Sequence, residues 1–209
     1  MSQKINPIAV RLKFNRTSDS SWFSDYYYSS LLFLDFNFQN YLKSITDKVG
    51  SKNGFQMQKC IIYHLPKKST AHIKNTLSFQ TNNLVKINPI NISNLFQSAS
   101  LVAQEIAWKL EQKKSFRTIC RTLFLNLRPL LADGPVMDIK KIYKKNRYIK
   151  GIRISCSGRL NGAEIAKTEC KKYSETSLHV FSDKIDYAFV KALTPYGILG
   201  IKVWISYVK

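Results

Sequence analysis

The side chains of this 209-residue sequence that can do chemistry are overwhelmingly cationic: 33 lysines and arginines stand against 13 aspartates and glutamates, a formal net charge of +20. A compact body with that excess repels itself, so it calls for a polyanionic partner whose counterions leave on binding. Nucleic acid is the leading candidate. The charge is unevenly placed. No acid lies between Asp47 and Glu105, while Lys48, Lys52, Lys59, Lys67, Lys68, Lys74 and Lys86 do. From Lys109 to Lys150, twelve basic residues oppose only Glu111, Asp133 and Asp138. Arg117, Arg121 and Arg128 recur there at helical spacing, and a planar guanidinium can donate two hydrogen bonds to a phosphate.

Catalytic chemistry finds no comparable concentration. Metal-assisted or general-base cleavage of a phosphodiester needs clustered carboxylates. Glu164 and Glu169, and Asp183 and Asp186, read instead as partners for nearby cations, and His64, His72 and His179 are isolated. The cysteines Cys60, Cys120, Cys156 and Cys170 lack CxxC spacing and a histidine at ligand distance, so they read as core thiols of a reducing compartment. No enzyme, metal or cofactor is expected. Apolar runs such as Leu31–Phe38 are short and interrupted by Asp35 and Asn37, so no membrane is expected as a partner.

The elements that must position the cations follow from periodicity. Residues 2–16 read as an extended basic arm of the mature chain. A polar cluster at Thr17–Ser21 precedes the aromatic stretch Trp22–Tyr28, and a helix is predicted over Ser29–Val49. Gly50–Gly54 reads as a break, Cys60–Leu65 as a strand, and Pro66–Lys68 as a turn into a short strand near Ala71–Ile73. Polar residues dominate 75–93, with Val85 and Ile87 marking another possible short strand, and the domain boundary is placed at 93/94.

Leu95, Ala99, Val102, Ile106 and Leu110 form a helical stripe, with Ser93 or Asn94 as its cap. Ser115 can cap a second helix, with Phe116, Ile119, Cys120, Leu123, Phe124 and Leu127 on one face and the three arginines on the other. Residues 140–150 make a basic-aromatic loop or hairpin whose tyrosines either stack on bases or anchor the loop to its own domain. Strict alternation in Ile152–Ser157, recurring at Leu178 and Val180 and at Ile201–Tyr207, specifies half-buried strands. Two helices followed by an antiparallel or mixed sheet give an α+β class for residues 94–209.

The block from Cys156 to Cys170, CSGRLNGAEIAKTEC, and the closing PYGILGIKVWI from Pro195 to Ile205 resemble the small-subunit ribosomal protein three family. Gln3–Leu12 and Ser18–Tyr28 are most similar to its mitochondrial members, and frequent Phe, Tyr, Asn, Lys and Ile suit an AT-rich organellar genome. The resemblance implies an N-terminal type II KH domain joined to a C-terminal α+β domain in the head of the small subunit. It implies rRNA, mRNA and neighbouring head proteins as partners, and the mitochondrial ribosome as the location. In the family a basic helix faces incoming mRNA. Phe116, Arg117 and Arg121 match it and Thr118 replaces a basic residue, so Lys113, Lys114, Arg117 and Arg121 are expected to border the mRNA path.

Residues 1–93 depart from the KH pattern. No Gly-x-x-Gly loop stands between helices, and the hairpin-like Cys60–Ile73 leaves too little chain for two helices and a strand. A reduced KH-like domain is therefore expected. Contacts to rRNA are assigned to Arg11, Arg16, Lys67, Lys68 and the turn of Gly158, Arg159, Asn161, Gly162 and Lys167, where paired glycines allow close backbone approach. The arm is expected to order only on the ribosome. A free-standing RNA-binding regulator is the alternative, which the missing Gly-x-x-Gly loop disfavours.

Overall fold

The computed structural model describes residues 4–53, 56–63, 94–132 and 149–208. Two units result, one of residues 1–17 with 94–209 and one of residues 18–93. In chain order the elements are α1 (Pro7–Arg11), β1 (Ser20–Ser21), α2 (Tyr28–Asn53), β2 (Ile62–Tyr63), α3 (Ala99–Glu111), α4 (Phe116–Ala132), β3 (Ile149–Gly158), β4 (Lys167–Ser174), β5 (Lys184–Thr194) and β6 (Gly197–Tyr207). Short 3-10 turns lie at Leu95–Gln97 and Leu160–Gly162.

The larger unit is built on the period-two pattern of β3. Ile152, Ile154 and Cys156 stand opposite Ile205, Val203 and Ile201 of β6, and all six are fully buried. The sheet runs β4-β3-β6-β5, antiparallel throughout. Its apolar face meets α3 and α4 through Val102, Ile106, Ile119, Leu123 and Leu127, at most 1% exposed. Each such side chain contributes roughly 2 kcal/mol of burial. The expected helical stripes therefore hold, except that Leu95 falls in the 3-10 turn before α3. The cap of α3 is Ser98, whose Oγ accepts from Ser100 N at 3.2 Å, not Ser93 or Asn94. Asp186 Oδ2 accepts from Ala99 N at 2.9 Å, placing a carboxylate at the positive end of the helix. Ser115 does cap α4, accepting from Thr118 N at 3.3 Å.

Leu178 and Val180, expected in a strand, lie in an irregular segment before β5. Their carbonyls face Arg11 instead. Arg11 is 2% exposed and donates to four backbone oxygens: Nε to Asp183 at 3.1 Å, Nη1 to Pro7 at 3.3 Å, and Nη2 to Leu178 at 3.1 Å and Val180 at 2.8 Å. The guanidinium also stacks over Phe181, 5.8 Å from the ring centroid. Asn15 Nδ2 adds bonds to the carbonyls of Phe181 and Asp183. The arm thus groups with the unit that holds residues 94–209. Polar bonds to carbonyls hold it, and those need no amphipathic stripe.

In the smaller unit, β1 and β2 pair in parallel, Ser20 with Ile62 and Ser21 with Tyr63. The α2 backbone continues through Gly50 to Asn53, where a break was expected. A single glycine costs a helix only about 1 kcal/mol. Asp35, 3% exposed, accepts from Trp22 Nε1 at 2.7 Å, and the Trp22 ring leans on Tyr28 at 5.3 Å. The expected strand at Cys60–Leu65 is reduced to Ile62–Tyr63 among the described residues. The predicted turn at Pro66–Lys68, the strands near 71–73 and 85–87 and the polar stretch 75–93 lie outside them, as does most of the basic-aromatic segment 140–150.

Candidate nucleic-acid interface

The cationic ridge starts where α3 stops. Lys114 N donates to Lys109 O at 3.2 Å and Lys113 N to Leu110 O at 3.0 Å, a paired helix termination that normally places glycine in the left-handed position. Lys113 occupies it, at φ 65°. A side chain there costs about 1 kcal/mol, and the result is two adjacent exposed lysines at the head of α4.

Along α4, Arg117, Arg121 and Arg128 step by four and seven residues and share one face, beside the edge strand β4. With Lys171, Cys120, Phe124, Leu125 and Tyr173 they line an open cleft of about 380 Å³. Phe124 and Tyr173 stack at 5.2 Å with an interplanar angle of 19°. Cations beside an aromatic pair hold phosphates and offer a face on which a base can stack. Arg117 bonds Glu169 through Nη2 at 3.1 Å and Nε at 3.5 Å, and that hydrogen-bonded charge holds its proton still more firmly. The guanidinium is 75% exposed, and so open an ion pair exchanges its carboxylate for a phosphate at little cost.

The other expected contacts divide. Arg11 is buried among carbonyls of its own unit, 2% exposed. Arg16 is turned inward as well, Nη1 pairing with Asp186 Oδ1 at 3.2 Å with both side chains about four-fifths buried. Lys67 and Lys68 lie outside the described residues. In the Gly158–Lys167 turn, Arg159 Nε donates to Ala163 O at 2.8 Å and Nη1 to Tyr196 O at 3.4 Å, tying the turn to the β5–β6 connection. Gly158, Asn161 and Gly162 all have positive φ. A Cβ on Gly162 would lie 3.2 Å from the Tyr196 ring, and one on Gly158 2.7 Å from Leu199. Close approach is thus made by the protein's own side chains, not demanded by a ligand. Asn161 and Lys167 are both exposed.

Sequence reasoning missed Lys171, Phe124 and Tyr173 as members of one site. The signal available was the i, i+2 series Glu169, Lys171, Tyr173, which sends all three to the α4 side of the sheet. Three of the four acids pair as the sequence suggested, Glu169 with Arg117, Asp183 with Lys150 at 3.5 Å and Asp186 with Arg16, while Glu164 is exposed. Among the described residues no group of three His, Cys, Asp or Glu is arranged to hold a metal, and no helix is long and apolar enough to cross a membrane. Burial pushes the Cys120 thiol up to about 12 and Cys156 to about 11, so both are protonated core groups.

The model of the family "Ribosomal protein S3, C-terminal domain" matches residues 136–205. The chain is 59% identical over 145 residues to small ribosomal subunit protein uS3m of Marchantia polymorpha, covering 69% of this chain and 29% of that one. It is 45% identical over 138 residues to the uS3m protein of Oenothera berteroana, covering 66% and 22%. It therefore spans less than a third of either plant relative. Against small ribosomal subunit protein uS3 of Ehrlichia ruminantium it is 34% identical over 218 residues, covering 98% of this chain and 95% of the other. A four-stranded antiparallel sheet under two helices, carrying a basic cleft and a signature turn, goes with that end-to-end match, and the chain belongs to the small ribosomal subunit protein uS3 family.

Proposed function

We propose that this chain is a structural constituent of the small subunit of the mitochondrial ribosome, binding rRNA in the head and bordering the path of mRNA without any chemical step. The observation that carries the RNA-binding part is the row Arg117, Arg121 and Arg128 with Lys171 beside the Phe124–Tyr173 stack. The identity to uS3m proteins of plants supports the mitochondrial location. Lys113, Lys114, Arg117 and Arg121 meet mRNA, while Asn161 and Lys167 face rRNA beside a turn that Arg159 holds in shape. Residues 18–93 form a reduced KH-like domain that lacks the Gly-x-x-Gly clamp, so the grip on RNA rests on the larger unit. Neighbouring head proteins complete its surroundings.

Phosphate attraction of this kind is insensitive to base sequence and weakens linearly in log salt, by about 0.7–0.9 per phosphate contact. Titration of the purified chain against a single-stranded RNA at several salt concentrations checks it. Replacing Arg121, Arg128 and Lys171 together by alanine should lower the magnitude of the slope by about 2–3. An unchanged slope would take the cleft out of the RNA interface.

A further inference from the structure

A half-covered antiparallel sheet leaves one face to solvent, and such a face ordinarily mixes charges of both signs. The face of this sheet turned away from α3 and α4 carries one sign. Because Ile152 and Ile154 face the helices, Arg153 between them faces outward, as do its ladder partners Lys172 on β4 and Trp204 on β6. Lys202, two residues before Trp204, and Lys191, opposite Gly200, share that face. The other side chains there are hydroxyl, thiol or apolar, and none is a carboxylate. Arg153, Lys202 and Lys191 advance by one strand and one same-face position each time, and with Lys172 beside Arg153 the cations reach all four strands. With strands about 4.8 Å apart and same-face neighbours about 7 Å apart, each diagonal step is about 8 Å. Flexible lysine stems bring that spacing within reach of successive phosphates.

Arg16, Lys109, Arg117 and Lys150 each pair with a carboxylate, whereas none of these four cations does among the described residues. Arg153 lies over Trp204, 5.7 Å from the ring centroid, and its Nε has no hydrogen-bond partner. Burial lowers the pKa of Lys4 and the like charge of Arg153 lowers it further, so the stripe repels even the chain's own cations. Beside it stands Phe189, 49% exposed, with Lys202 opposite and Lys191 two residues on. Its Cε2 lies 3.4 Å from the place of a Cβ on Gly200, so the missing side chain leaves room for the ring over β6. Unneutralised cations around an open ring suit unpaired RNA, which offers phosphates to the first and a base to the second. A protein would have to match each cation with a carboxylate of its own. We propose that this outer face binds a stretch of single-stranded RNA separate from the RNA in the cleft, so that the domain bridges two RNA segments across one sheet. Neighbouring residues of β4 divide the two sites, Lys171 lining the cleft and Lys172 the outer face. The second site rests on the RNA-binding reading above and adds to it.

The test acetylates the full chain with and without an oligouridylate of about twelve nucleotides and reads each lysine's reactivity by mass spectrometry. Lys172, Lys191 and Lys202 should lose reactivity about fivefold on binding, while exposed Lys13 changes little. Arg121→Ala with Arg128→Ala should uncover Lys171 and leave the outer three covered. In that variant Phe189→Ser, with circular dichroism unchanged, should weaken the remaining binding roughly tenfold, the worth of one stacked base. Protection of Lys171 without the outer three overturns the proposal and leaves the cleft standing. Protection of the outer three without Lys171 upholds it and takes the cleft out of the RNA interface. Protection of every lysine alike, Lys13 included, shows only diffuse neutralisation and overturns the site, and protection of none overturns both sites. In assembled small subunits, p-azidophenylalanine at position 189 should crosslink to RNA, giving a product that nuclease destroys. A crosslink to a protein, or none while the chain sits in the subunit peak, overturns the proposal.

Discussion

Replacing Arg11 by methionine should lower the unfolding free energy of the isolated protein by about 3 kcal/mol. Methionine preserves much of the buried stem, so the loss reports the guanidinium. Its removal leaves the carbonyls of Pro7, Leu178, Val180 and Asp183 without their donor. Each unsatisfied buried acceptor costs about 1–3 kcal/mol, reduced where water can enter. Burial lowers the Arg11 pKa, with the Asp183 charge acting the other way, but the group remains an arginine cation at any ordinary pH. The loss should therefore be nearly independent of pH between 5 and 8. Urea unfolding gives the energy, and hydrogen exchange locates it: amides of residues 7–16 should lose protection first. Unchanged stability, or an arm protected as before, would mean that packing of Phe14 on Phe181 holds the segment.

Replacing Arg117 and Arg121 by alanine should spare assembly of the subunit and slow translation through a structured message several-fold more than through an unstructured one. Both side chains are exposed on one face of α4, away from the core that holds α4 to the sheet. Their removal therefore costs little stability. Under the proposed channel role, separating paired strands needs a steady grip on the incoming backbone, which two charge-assisted contacts would supply without selecting sequence. Thr118 bonds Ser115, their hydroxyl oxygens lying 2.8 Å apart, and supplies no cation to the proposed grip. Paired reporters that differ only in one hairpin, translated by reconstituted or organellar ribosomes, make the comparison. An equal effect on both reporters would separate these arginines from the mRNA path, and loss of assembly would place them on rRNA.

The two helices were legible because Val102, Ile106 and Leu110, and likewise Ile119, Leu123 and Leu127, repeat every four residues with polar residues between. The central strands were legible for the same reason at period two. The edge strands were not. In β4 the α4 side carries Glu169, Lys171 and Tyr173 while the opposite side carries Thr168, Cys170 and Lys172, so polar residues occupy both faces and no alternation shows. In β5 the pattern fails in the other sense: Ala188, Val190 and Ala192 point to the core while Ile185, Tyr187 and Phe189 occupy the other face. The cleft inherits this difficulty, since one wall is the legible α4 and the other is β4. Arg11 and Arg16 show the limit of reading cations from type alone. A guanidinium caged by carbonyls or by Asp186 has the same letter as one awaiting a phosphate, and only the fold tells them apart.

The central claim, that this chain is a built-in part of the small ribosomal subunit, is tested most directly by sedimentation. The epitope-tagged full chain is expressed in its own mitochondria, the lysate is washed at high salt, and gradient fractions are probed for the tag and for small-subunit rRNA. The chain should migrate with that rRNA and stay there after the wash, because many phosphate contacts act together with a folded scaffold. A chain released to the top of the gradient by salt would instead be a free-standing RNA-binding protein, and the structural role would be contradicted.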